Sequence, residues 1–182
     1  MSQEERRAYK LIFTGPVGAG KTTAINAISD TRTVSTDELA TDETRDMKAN
    51  TTVAMDYGVL KIPGGDVVHL YGTPGQDRFD YMWKILVEGG LGLILLINND
   101  NPAPLKDLDH FMEAFGDFIS DTALAIGVTR LETTSRPSLK EYHEHLAKKN
   151  MNFPIFEVDP RDKRDVQILV QALLFSLRAE SE

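Results

Sequence analysis

The chain has 182 residues and a mass of 20.3 kDa, the size of one domain, and its 41% of hydrophobic residues excludes wholesale disorder. Twenty basic against 28 acidic residues leave a net charge of −8 and a pI near 5.0, which argues against general nucleic-acid binding and against electrostatic attachment to anionic lipid. Cysteine is absent, so no disulfide, zinc–thiolate site, iron–sulfur cluster or cysteine nucleophile can form, and lipid chains have no thiol acceptor.

In chain order, residues 1–8 read as a flexible tail without the glycine of a myristoylation signal or an apolar secretion segment. Residues 9–14 form a short apolar run that predicts a buried strand, and a glycine-rich turn leads into a helix over 21–28. Residues 29–50 are polar with little periodicity and read as a long loop. Two strands, 52–61 and 67–71, are joined through Pro63-Gly64-Gly65-Asp66, a hairpin signal. A helix over 79–88 stops at Gly89-Gly90 before the apolar strand 91–97, which is far short of the roughly 20 residues of a membrane span. Leu105, Leu108, Phe111, Met112, Phe115 and Ile119 recur at helical spacing and predict a helix over 104–120. A strand at 124–129, a helix entered through the capping box Ser138-Leu139-Lys140-Glu141, a strand at 155–158 and an apolar stripe from Val166 to Leu177 complete the pattern. Strands alternating with helices, with one hairpin, predict a single α/β domain over 1–182: three layers, a mostly parallel sheet and helices on both faces. The expected compartment is the cytoplasm.

Gly15-Pro16-Val17-Gly18-Ala19-Gly20-Lys21-Thr22 matches the phosphate-loop pattern G-x-x-x-x-G-K-[ST] in full, between a strand and a helix as its mechanism requires. Backbone N–H groups of Gly15, Gly18, Ala19 and Gly20 can turn inward around phosphate oxygens, with the positive end of the following helix behind them. Lys21 would reach the β- and γ-phosphates, Thr22 would ligate Mg²⁺, and Thr23 continues the cradle. The chain is therefore expected to bind a nucleoside triphosphate.

This loop, followed by Thr51-Thr52-Val53-Ala54-Met55-Asp56 and by Gly72-Thr73-Pro74-Gly75-Gln76-Asp77, resembles the phosphate loop, switch I and switch II of Ras-superfamily small GTPases. It looks most similar to the bacterial Ras-like group, including gliding-motility GTPases and those found with roadblock-type partners. The resemblance runs from Lys10 to Leu177 and implies a phosphate-loop NTPase fold that binds GTP or GDP with Mg²⁺ and hydrolyses GTP slowly. By that resemblance Thr52, or Thr51 one residue away, touches Mg²⁺ and the γ-phosphate; Gly75 donates its N–H to the γ-phosphate; Gln76 orients the attacking water. An effector or regulator, of the roadblock type among others, would read the switch surfaces, and no membrane anchor is expected from the chain itself.

Three positions depart from the family pattern. Gly72 stands where relatives carry the Asp that supports Mg²⁺; Asp37, Asp42 and Asp56 are possible substitutes, with Asp56 read as a solvated strand residue. Thr129-Arg130-Leu131-Glu132 replaces Asn-Lys-x-Asp: Glu132 can accept two hydrogen bonds from guanine and Arg130 can cover the base, a loop ion pair between the two being the competing reading. Asp159 and Pro160 lie in the last base-contacting loop, where Pro160 removes one donor. Arg45 in the long loop is the candidate catalytic arginine, ahead of Arg32 and Arg78. Asn98–Pro102 reads as a strand-to-helix turn, and Trp83 and Met82 as half-buried packing or partner contacts. Two other functions compete with the GTPase: a nucleotide-binding module with little hydrolysis, suggested by Gly72, and a phosphate-loop small-molecule kinase, disfavoured by Gln76 and the lack of an arginine-rich lid.

Overall fold

The computed structural model describes residues 7–35, 56–77, 80–134 and 136–179. Among the described residues seven strands form one sheet: β1 (Ala8–Thr14), β2 (Val34–Ser35), β3 (Asp56–Lys61), β4 (Val67–Gly72), β5 (Gly92–Asn98), β6 (Ala123–Thr129) and β7 (Ile155–Glu157). Their spatial order is β2-β3-β4-β1-β5-β6-β7. The β4-β1-β5-β6-β7 portion is parallel, while β3 runs antiparallel to β4 and to the two-residue β2. The predicted hairpin is present, its turn closed by Ile62 N–H donating to Asp66 O at 2.9 Å.

Side chains alternate across the central strands, so one sheet feeds two cores. Leu11, Phe13, Ile94, Leu96 and Ala125 face α1 (Lys21–Ile28) and α6 (Lys163–Ala179), where Ile25, Val166 and Leu169 close the first core. Ile12, Leu93, Leu95, Ile97, Leu124 and Ile126 face the other way. They meet α2 (Asp80–Val87), α3 (Pro104–Ala114) and α5 (Leu139–Lys148) through Trp83, Phe111, Tyr142 and Leu146. The three-layer α/β fold expected from the alternation of elements is thus the observed one.

Differences from the predicted elements are local. The helix expected over 104–120 divides into α3 and α4 (Gly116–Asp121) at Phe115, whose ring turns into the second core while Gly116 offers no side chain to carry the helix through. β2 falls in the stretch read as loop, because two residues are too few to show a period. β1 opens at Ala8, inside the expected tail, paired with Val67. The capping box at Ser138 and Glu141 forms as predicted and starts α5. Among the described residues no helix is long and apolar enough to cross a membrane.

Candidate functional site

The site lies where the carboxyl ends of β1, β5 and β6 meet the start of α1, the crevice in which open α/β sheets bind ligands. The phosphate loop passes under β5 so closely that a Cβ on Gly15 would stand 2.0 Å from Leu96 O, and Gly15 has φ +138°. Gly20 caps α1 at φ 94°, a left-handed conformation that leaves the first helical N–H groups aimed into the crevice without a capping side chain. Lys21 is buried and donates to Gly15 O at 2.7 Å and Pro16 O at 2.8 Å. Burial pushes its ammonium down to about 8, with the Asp56 carboxylate opposing that fall. A cation held this way gains a strong partner when phosphate oxygens arrive.

The register of β3 on β4 places a carboxylate beside Gly72. Asp56 lies directly across from Gly72, and a Cβ on Gly72 would stand 3.1 Å from Asp56 Oδ2. The Asp56 carboxylate therefore occupies the space beside residue 72 and accepts a hydrogen bond from Thr22 Oγ1 at 2.6 Å. Asp56 is a partly exposed strand residue, as expected, and it also reaches the phosphate loop: one hydroxyl and one carboxylate, both hard oxygen donors, meet at the start of α1 and fit a divalent cation bound with phosphate oxygens. Among the described residues no group of three or more His, Asp or Glu side chains could hold a metal unaided. Phosphates and water would have to complete such a site.

On the other side of the phosphate loop lies a cleft of about 330 Å³. Gly18, Ala19, Gly20 and Thr23 form one wall; Thr129, Arg130 and Glu132 form another; Asp159, Pro160 and Arg161 close it. Three loops are held together there. Thr129 Oγ1 donates to Ala19 O at 3.3 Å and Ile97 O at 3.2 Å. Pro160 packs on Gly20, where a Cβ would come within 2.8 Å of its ring. Among the described residues the Arg130 guanidinium pairs with Asp100 at 3.6 Å rather than with Glu132, so the competing ion pair is not made. Arg130 has φ +61°, a strained conformation for a residue with a Cβ. Asp100 also accepts from Thr134 and from Thr133 Oγ1 (2.7 Å), and these hydroxyls, with Arg130, hold its carboxyl below the usual carboxylate range. Asp159 is clamped by Arg161, which donates from both backbone and side chain and lowers the carboxyl to about 2.

The Thr73–Asp77 segment joins the site to the second core. Thr73 is tied to β1 through its N–H to Phe13 O (2.9 Å) and its hydroxyl to Thr14 (2.8 Å). Gly75 then lies against the phosphate loop, a Cβ there meeting Val17 N at 2.6 Å and Lys21 Nζ at 2.9 Å. Gln76 follows and is exposed. Trp83 on α2 is 3% exposed, not half-buried as expected, and its indole donates to Pro74 O at 2.9 Å. Beside it a groove of about 630 Å³ runs between α2 and α4, bordered by Tyr81, Lys84, Phe115 and Phe118.

Thirteen of the predicted site residues thus fall in or against one crevice: Gly15, Gly18, Ala19, Gly20, Lys21, Thr22, Thr23, Gly75, Thr129, Arg130, Glu132, Asp159 and Pro160, while Gln76 follows Gly75 in the chain and is exposed. Thr52 and Arg45, like Thr51, Asp37, Asp42 and Arg78, lie outside the described residues. Asn98–Pro102 is the predicted strand-to-helix turn, with Asn98 Oδ1 accepting from Asp100 N–H at 3.0 Å. Its middle residue Asp100 also lines the cleft, a role with no local sign, because its partners are 30 to 34 residues away.

No family model matches the chain. It is 25% identical over 166 residues to the intraflagellar transport protein 22 homolog of Xenopus tropicalis, covering 85% of this chain and 83% of that one. It is 22% identical over 176 residues to the Ras-related protein Rab-7b of Paramecium octaurelia, covering 92% and 80%. With the GTP-binding protein yptV5 of Volvox carteri it shares 26% over 118 residues, 63% of this chain and 52% of the other. Two of these three distant relatives carry Ras-related or GTP-binding names, and none of the three is a bacterial gliding-motility protein.

Proposed function

We propose that the chain is a small GTP-binding switch that hydrolyses GTP slowly to GDP and phosphate. One juxtaposition carries the reading: the phosphate loop has the Gly75-Gln76 turn packed on one side and the Glu132-bearing cleft on the other. A triphosphate laid along the loop, with its base in the cleft, meets both. The GTP-binding and Ras-related names of the relatives support the same conclusion.

In this reading Lys21 leaves Gly15 O and Pro16 O for the β- and γ-phosphates, and the amides at the start of α1 bind the remaining oxygens. Thr22 and Asp56, with Thr52 from switch I, would hold Mg²⁺ together with phosphate oxygens and water. When bound, the ion neutralises charge developing on the bridging oxygens. Gly75 donates to the γ-phosphate, and Gln76 orients a water that attacks phosphorus in line with the departing GDP oxygen. Glu132 accepts from the guanine N1–H and exocyclic amine, and Arg130, steered by Asp100, covers the base. Loss of the γ-phosphate frees Gly75 and Thr52, which is the switch. Exposed Tyr81 and Ile85 on α2, beside the groove, offer the surface on which an effector or a roadblock-type regulator reads it. Arg45 supplies transition-state charge from the same chain, and Arg45→Ala is expected to slow turnover.

The test is to release nucleotide from the purified protein, identify it chromatographically, and follow phosphate release with and without Mg²⁺. GTP or GDP with Mg²⁺-dependent turnover is expected. ATP or ADP would overturn the guanine assignment of Glu132, and GTP intact over hours would leave a binding module without hydrolysis.

A further inference from the structure

We propose that Trp83 is the positioning residue for the Gly75 N–H, the group that distinguishes a nucleotide bearing a γ-phosphate from one without it. The inference rests on the nucleotide reading above and deepens it. Pro74 C=O and Gly75 N–H belong to one peptide unit, which is planar and trans, as only Arg136–Pro137 is cis among the described residues. In such a unit the carbonyl and the amide point in opposite directions. The Trp83 indole N–H holds the carbonyl end on the side of α2 at 2.9 Å, in a buried position. The amide end is thereby turned away from α2, toward the side where Gly75 packs on Val17 and the Lys21 ammonium.

The holder is itself rigidly set. The indole stacks on Phe115 (ring centroids 5.2 Å apart, planes 22°) and leans on Phe111 (5.1 Å, 33°). His110 lies edge-on to it at 6.2 Å and bonds Asp77 Oδ1 at 3.1 Å. The turn holding Gly75 and Gln76 is thus fastened on both sides, at Pro74 and at Asp77, by two side chains of one aromatic cluster. A buried indole N–H ordinarily finds an acceptor, and the acceptor here is the carbonyl that shares a peptide unit with the Gly75 amide.

The chain has a single tryptophan, which makes the test selective. Trp83→Phe keeps an aromatic ring and removes the N–H. Biosynthetic replacement of tryptophan by its benzothiophene analogue keeps the whole bicyclic shape and removes the same N–H, which covers the case in which the Phe variant folds poorly. Affinities for GDP and for a non-hydrolysable GTP analogue are measured for wild type and both variants. Expected is a loss of about tenfold for the GTP analogue, the scale of one hydrogen bond to a charged group, with GDP affinity held within about twofold. An unchanged GTP-to-GDP ratio in the benzothiophene protein overturns the role, as does an equal fall for both nucleotides, which marks a merely structural residue. Wild type that binds neither nucleotide removes the nucleotide reading itself and this role with it; wild type that discriminates while the variants also do removes the role alone.

Discussion

Gly72→Asp places a carboxylate on β4 where Asp56 already stands, and the consequence can be worked from the register. A Cβ at residue 72 would lie 3.1 Å from Asp56 Cβ, from Asp56 Oδ2 and from Ile25 Cδ1. The new carboxylate is then forced to within roughly 4 Å of the old one. At that separation two like charges repel by about 4 kcal/mol for an effective dielectric of about 20, and solvent at half-exposed Asp56 reduces the expected loss to about 2 kcal/mol. For a chain of this length that is a fall of roughly 4–8 °C in Tm. Repulsion needs both groups ionised, so the folded variant binds protons more avidly than its unfolded chain. The deficit is therefore full near neutrality and shrinks as pH falls through the carboxylate range. Thermal melts by circular dichroism at neutral and mildly acidic pH, with Gly72→Asn as the uncharged control, measure this directly. Equal melting temperatures for wild type and Gly72→Asp near neutrality, or a deficit that persists undiminished in acid, would refute the placement of Asp56 beside residue 72.

Lys21 carries a second linkage: its ammonium titrates near 8 in the fold against 10.5 ordinarily, so the unfolded chain binds more protons between those values and stability rises with pH there. Urea denaturation of nucleotide-free protein should gain about 2 kcal/mol on going from about pH 7 to about pH 9.5, and Lys21→Met should abolish that slope. Tyr142 donates to Asn99 Oδ1 at 2.8 Å with both residues buried, so Tyr142→Phe should cost about 1–2 kcal/mol in the same denaturation. Glu132→Gln should erase the preference for GDP over the inosine nucleotide, which lacks the exocyclic amine, a preference of about tenfold in wild type, as read by competitive displacement of a fluorescent nucleotide.

Much of the fold was legible because it is written in local periods. Apolar runs of strand length, helical stripes such as that from Val166 to Leu173, the Pro63–Asp66 turn and the capping box at Ser138 act over a few residues, and each appears where expected. Phe115 shows the limit: its spacing fits one continuous helix, yet its ring is drawn into the cluster around Trp83 and the helix breaks there. Two residues of β2 could not declare themselves, being a strand only through their pairing with β3.

The candidate site divides in the same way. The sequence by itself determined the phosphate loop, since a strand, a glycine-rich turn, Lys21 and Thr22 in that order need no distant partner to make an anion cradle. Resemblance also made Gly75 and Gln76 candidates, and Glu132 entered as a residue that departs from the family pattern. Only the tertiary structure decided that the Asp56 carboxylate lies beside Gly72, because the two meet across two strands, 16 positions apart and face to face by register. Only it joined Asp100 to Arg130 and aimed Trp83 at Pro74. A side chain's neighbours along the chain set its local conformation, but a carboxylate or an indole N–H acts on whatever the fold brings within about 3 Å, and that is settled by packing.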